Sequence, residues 1–202
     1  MQTIMVVEDQ SLIRDAISTL LSLEDDFDVI HQCEDGEQAL NLLTQSSALP
    51  DIVLSDIEMP NVTGIELAEQ VSELFPDIKF VIMTTFAKAG YVRRAMSSGA
   101  KGFILKDVPS DYLVSSLRDI CKGKVIIDPE LAVLALGDKD PLSEKERKAI
   151  QLIGDGLSTQ QVADKLFLSQ GTVRNYLSEA ISKLNAMNSN DAARIARQKG
   201  WL

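Results

Sequence analysis

The sequence predicts an α/β domain built on a five-stranded parallel sheet, followed by a small all-α domain. Three observations lead there. Five short β-branched runs alternate with five amphipathic stretches through residue 122, the signature of a sheet covered on both faces. The alternation stops after Gly123, and from Leu142 onward the chain reads as short helices. The charge divides at the same place. Residues 1–138 hold ten basic and twenty-three acidic side chains, a balance of −13, whereas residues 139–202 hold ten and seven, a balance of +3. The whole-chain charge of −10 argues against nucleic acid, but the C-terminal third on its own does not.

The apolar runs fall at residues 3–7, 29–33, 52–55, 80–84 and 102–105, and the helical spacings between them at 12–23, 36–43, 64–74, 91–97 and 111–122. Continuous runs such as FVIMT suit strands buried on both faces. Residues 123–141 read as a linker, closing on the Gly, Asp and Pro of GDKDP, with room for a short helix near 130–136. The division is therefore 1–122, linker 123–141 and 142–202. In the last part Ser143 with Glu146 fits a capping box, Ser158 can cap the next helix, Ser169 precedes the segment 170–184, and Asn190 precedes the last helix.

Composition excludes several classes. Cys33 and Cys121 are too few for a disulfide framework and suit a reducing compartment. No apolar run approaches the ~20 residues of a membrane span, and the start MQTIMVVEDQ lacks the features of a signal peptide. The expectation is a cytoplasmic protein without a membrane partner, in which the sequon Asn61-Val62-Thr63 is accidental. His31, the single histidine, reads as structural and disfavours histidine-based metal or triad chemistry.

The chemistry gathers at strand ends, where α/β sheets carry their sites. The first strand ends in Glu8-Asp9, the third in Asp56, the fourth in Thr84 and the fifth at Lys106. In strand order 2-1-3-4-5 the first and third strands are neighbours, so three carboxylates converge. Like charges this close resist ionising together unless a cation joins them, and oxygen donors suit Mg²⁺. An acidic pocket with Mg²⁺, a hydroxyl and an ammonium can stabilise phosphoryl transfer to a carboxylate.

The set Glu8-Asp9, Asp56 within LSDIEMP, the 61–64 loop, Thr84, Phe103 within GFILKD and Lys106 resembles the flavodoxin-like receiver domain of two-component response regulators over residues 3–122. The resemblance implies that Asp56 is the phosphoacceptor, that Glu8, Asp9, Asp56 and the Glu58 carbonyl hold Mg²⁺, and that Thr84 and Lys106 engage the phosphoryl oxygens. It further implies that Thr84 and Phe103 form the conformational switch. Lys106 is followed by Asp107 where other receivers carry proline. Glu58 and Phe86 flank the reaction site as candidates for tuning phosphate lifetime.

Residues 142–202 resemble the helix-turn-helix domain of the NarL/FixJ (LuxR-type) family, carried by Leu142-Ser143, Glu146-Arg147, Gly156-Leu157-Ser158, Val162-Ala163, Thr172-Val173 and Lys183-Leu184. The helix-turn-helix would be 159–166, turn 167–169 and recognition helix 170–184, with Val173, Leu177, Ile181 and Leu184 facing its core. Gln170, Thr172, Arg174, Asn175, Ser178 and Lys183 are the candidate DNA contacts, Arg174 and Asn175 for bases or phosphates, Thr172 and Lys183 for phosphates. Tyr176 stands where relatives commonly carry histidine, and either contacts phosphate or packs inward.

The implied function is a phosphorylation-controlled transcriptional regulator rather than an enzyme. A sensor histidine kinase phosphorylates Asp56, the receiver forms a homodimer through Leu12, Ile13, Leu113 and Leu117, and two helix-turn-helix domains occupy double-stranded promoter DNA. LEDD, DIEMP and TTFAKAGY resemble a branch that controls a membrane-lipid desaturase. Two alternatives are a phosphate-independent regulator with a vestigial pocket and a haloacid dehalogenase-like phosphatase. The second wants an Asp two residues after the nucleophile, where this chain has Glu58.

Overall fold

The computed structural model describes residues 1–46, 48–85, 89–135 and 140–202. They form two compact units, one carrying the sheet and one carrying the last four helices.

In the first unit, strands β1 (Gln2–Val7), β2 (Phe27–Cys33), β3 (Ile52–Asp56), β4 (Lys79–Thr84) and β5 (Gly102–Leu105) alternate with helices α1 (Ser11–Ser22), α2 (Gly36–Gln45), α3 (Gly64–Leu74), α4 (Ala89–Ser97) and α5 (Ser110–Cys121). All pairings are parallel, and these five strands lie in order β2-β1-β3-β4-β5. Every residue of β3 is buried, as the uninterrupted IVLSD run requires of a central strand. Helices α2 and α3 start where a side chain satisfies the free N–H groups: Asp35 caps the first, and Thr63 with Glu66 forms a capping box on the second.

The sixth strand, β6 (Ile126–Ile127), lies inside the stretch expected to be linker. It pairs with Gly102 and Phe103 of β5, and the Asp128 N–H donates to the Phe103 carbonyl at 2.9 Å. Two residues are too few for alternation to register, so the strand left no periodic signal. Helix α6 (Pro129–Ala135) follows, with Leu131 buried. The rest of the expected short helix and most of GDKDP fall outside the described residues.

Two of the four expected dimer contacts are buried within the first unit itself. Leu117 and Leu113 sit in the core formed by β1, β3, β4, α1 and α5, at 0% and 3% exposure. The apolar stripe of α5 is consumed by the sheet. Leu12 is 81% exposed and Ile13 half-buried, so of the four only α1 presents apolar surface. Cys33 is buried, and burial pushes its thiol up to about 12, which leaves it unreactive.

The second unit contains α7 (Glu144–Gly154), α8 (Thr159–Leu166), α9 (Gln170–Lys183) and α10 (Ser189–Lys199). Ser143 with Glu146 and Ser158 with Gln161 form capping boxes on α7 and α8, and Ser169 caps α9. The last helix starts earlier than expected. Asn188, not Asn190, is its cap, accepting from the Asp191 N–H at 2.9 Å. Val173, Leu177, Ala180 and Leu184 of the α9 segment are buried in a core that includes Trp201, with Ile181 and Tyr176 packed at its edge. Among the described residues, no helix is long and apolar enough to cross a membrane.

Candidate functional site

The register of the central strands assembles the acidic site. Val7 lies opposite Ser55, so Glu8 and Asp56 emerge side by side at the carboxyl edge, and Thr84 lies opposite Leu105, which brings Lys106 next to them. The Lys106 N–H donates to the Thr84 carbonyl at 2.9 Å, fixing the end of β5 against β4. Its Nζ lies 2.6 Å from Glu8 Oε2 and 3.0 Å from Asp56 Oδ2, with only 7% of the lysine side chain exposed. The other Asp56 oxygen, Oδ1, accepts from the Ile57 N–H at 2.7 Å. Burial, partly offset by Lys106, raises the Glu8 carboxyl above the ordinary glutamate range.

One carboxylate oxygen each from Glu8, Asp9 and Asp56 lies within 4.8 Å of the others, and Asp9 faces solvent. Around a small hard cation with oxygen ligands at ~2.1 Å, neighbouring octahedral positions stand about 3.0 Å apart, so the three side chains would draw together to hold one. Beside it is a cavity of about 100 Å³ lined by Gln10, Asp56, Glu58, Thr84, Thr85 and Lys106. Asp56, Thr84 and Lys106 therefore meet, as expected from sequence. Gln10 and Thr85 were not expected; each follows a named site residue by one position, and that adjacency was the available signal. Phe103 is buried in β5, at 2% exposure. Phe86 lies outside the described residues.

The loop after Asp56 folds tightly back onto it. A Cβ on Gly64 would lie 1.9 Å from the Asp56 carbonyl oxygen, so only glycine permits this approach. The Gly64 N–H also donates to the Ile57 carbonyl at 2.9 Å, closing the loop that carries Glu58.

In the second unit, α8 ends with Phe167 in the left-handed region (φ 56°) and α9 follows after Ser169, a helix-turn-helix arrangement. Arg174, Asn175 and Ser178 are exposed, and Gln170 and Thr172 are half-buried near the helix start. Arg174 Nη2 donates to Gln170 Oε1 at 3.3 Å, and the Thr172 hydroxyl lies 2.8 Å from the Ser169 hydroxyl. Lys183 is differently employed. Its ammonium sits 2.8 Å from both carboxylate oxygens of Glu146, which is 1% exposed, so it pins α9 to α7. Arg147, Lys148, Arg194 and Arg197 are likewise paired with carboxylates. Arg174, Lys145 and Lys165 are exposed and lack a carboxylate partner among the described residues. Lys145 and Lys165 stand outside the recognition helix and carry no pattern that would mark them in the sequence.

Comparison with known proteins agrees with both halves. Residues 4–118 match the response regulator receiver domain, and residues 140–196 match the bacterial regulatory proteins of the luxR family. The chain is 42% identical over 197 residues to the uncharacterized transcriptional regulatory protein YvfU of Bacillus subtilis, covering 98% of each. It is 38% identical to the transcriptional regulatory protein DesR of the same organism, covering 100% of this chain and 99% of DesR. The fold matches RcsB of Salmonella typhimurium with a TM-score of 0.71 at 20% identity, covering 98% of both chains. These relatives are regulators, which removes the phosphatase alternative. The chain belongs to the two-component response regulators, with a receiver domain followed by a LuxR-type DNA-binding domain.

Proposed function

We propose that Asp56 accepts a phosphoryl group from a sensor histidine kinase and that this event controls promoter binding. The observation that carries the reading is the ammonium of Lys106 bridging Glu8 and Asp56 at 2.6 and 3.0 Å, beside a cavity that also reaches Thr84. Mg²⁺ held by Glu8, Asp9, Asp56 and the Glu58 carbonyl would supply charge neutralisation for the incoming phosphoryl group. Asp56 Oδ2 attacks phosphorus, the bond to the kinase imidazole breaks, and the imidazole leaves with a proton. The Ile57 N–H holds Oδ1 and so aims Oδ2. Lys106 transfers from the carboxylate to a phosphoryl oxygen, the Thr84 hydroxyl donates to another, and Phe103 repacks behind it.

Dimerisation is the output of this change, with Leu12 and Ile13 as candidate contacts. Two domains with a balance of only +3 each bind DNA better together than singly. A cytoplasmic location suits such a regulator. Acetyl phosphate with Mg²⁺ is expected to give an acid-resistant, base-labile adduct and a dimer in sedimentation, both lost in Asp56→Asn. An Asp56→Asn chain that still dimerises with the phosphodonor would overturn the reading.

Gln170, Thr172, Arg174, Asn175 and Ser178 form the proposed DNA face, and Lys165 joins them as a phosphate contact. Arg174→Ala is expected to weaken specific binding by about tenfold (~1–3 kcal/mol for a base contact), whereas Lys165→Ala lowers the salt slope by about one. Mobility shifts across a salt series read both. Equal loss on all sequences for Arg174→Ala would make it a phosphate contact.

A further inference from the structure

We infer that Asp35 and Asn61 form a clasp that positions the Glu58 carbonyl for metal binding. The inference rests on the Mg²⁺ reading above and assigns roles to two residues outside the acidic site. Asn61 adopts the left-handed region at φ 62°, which non-glycine residues seldom enter and asparagine tolerates best. Its Nδ2 donates to Asp35 Oδ2 at 2.7 Å, across 26 residues of sequence. The other oxygen of Asp35 accepts from the Gln38 N–H at 2.8 Å, so one carboxylate caps α2 and holds the loop.

The neighbouring turn fits the same loop without a gap. A Cβ on Gly36 would lie 2.6 Å from the Val62 carbonyl oxygen and 2.8 Å from Val62 Cγ1. The loop 57–63 is thus closed at its base by Gly64 and Ile57, and held at its apex by Asp35 and Gly36. Glu58 lies between these fastenings, three residues before Asn61. Neither clasp residue lines the cavity at Asp56, so the two act on the metal through backbone geometry.

Calorimetric titration of the full-length chain with Mg²⁺, without phosphodonor, tests this. Asn61→Gly keeps the left-handed backbone and removes the amide; Asp35→Ser keeps a capping oxygen for α2 but is too short to reach Asn61. Each is expected to raise the Mg²⁺ Kd about fivefold, as loss of one solvent-exposed hydrogen bond implies. The double variant should be no worse than about twofold beyond either single one, because both remove the same bond. Asn61→Asp, which repels Asp35, should lose more, and saturating Mg²⁺ should return the phosphorylation rate of all variants to the parental value. Circular dichroism at the titration temperature confirms that each variant is folded. Parental Mg²⁺ affinity in the single variants, or losses that add in the double variant, overturns the clasp alone. A parent chain that binds no Mg²⁺ overturns the clasp and the metal reading together.

Discussion

Lys106→Met is expected to destabilise the metal-free receiver strongly, to make its folding depend on Mg²⁺, and to abolish phosphate-dependent dimerisation. The lysine ammonium is the cation that permits Glu8 and Asp56 to coexist in a nearly dry site, where their side chains are 2% and 8% exposed. Methionine preserves the apolar stem and removes the charge. Two adjacent buried carboxylates then remain, and breaking such a pairing costs about 3 kcal/mol. For a domain of this size that is a fall in Tm of roughly 10 °C or more. A divalent cation can take over the role of the ammonium, so the variant should gain more stability from Mg²⁺ than the parent does.

The pH dependence has a definite sign. Burial already raises the Glu8 carboxyl, and the hydrogen bond and charge of Lys106 oppose that rise. Without Lys106 the carboxyl moves further up. A raised acid binds its proton more tightly in the folded than in the unfolded chain, so stability falls as pH climbs above the ordinary carboxylate range. Metal-free Lys106→Met should therefore melt higher near pH 5 than near pH 8, and Mg²⁺ should flatten the difference. Calorimetry with and without Mg²⁺ reads this directly. An unchanged metal-free Tm would mean that the ion pairs carry no stability.

Most of the acidic site could be read from the chain because its groups sit at strand ends. Glu8, Asp56, Thr84 and Lys106 each follow a β-branched run, and a parallel sheet has one edge at which such residues can meet. What escaped the reading depends on partners far away in sequence. Periodicity shows that Leu113 and Leu117 share a face of α5 but not whether the sheet or a second chain covers it; the sheet does. Lys183 looks like any helix-end cation, and its partner Glu146 stands 37 residues earlier. Strand β6 is held by backbone bonds to Lys101 and Phe103, which no side-chain pattern reports. Asn188 and Asn190 are equally good caps on paper, and the bond to the Asp191 N–H decides between them.

The pairing of Glu146 with Lys183 leads to the second large effect. Glu146 is buried, accepts from the Ser143 N–H at 2.7 Å and receives the Lys183 ammonium on both oxygens, so it joins the start of α7 to the end of α9. Burial pushes its carboxyl up, yet the bonds from Lys183 and Ser143 outweigh that and lower it to about 2. The stability from this lowered pKa is present above the unfolded value near 4.5 and is lost as pH falls from there toward about 2. Glu146→Gln keeps the shape and loses the charge. It is expected to cost about 2 kcal/mol at neutral pH, less than a fully buried pair because Lys183 can turn to solvent. The difference from the parent should vanish near pH 2. Trp201, the single tryptophan, lies in this core, so its fluorescence during denaturant unfolding follows the DNA-binding unit alone. Lys183→Met should lose similar stability but keep the parental salt slope for DNA, because its charge is spent inside the domain. A slope lower by about one would return Lys183 to the phosphate contacts.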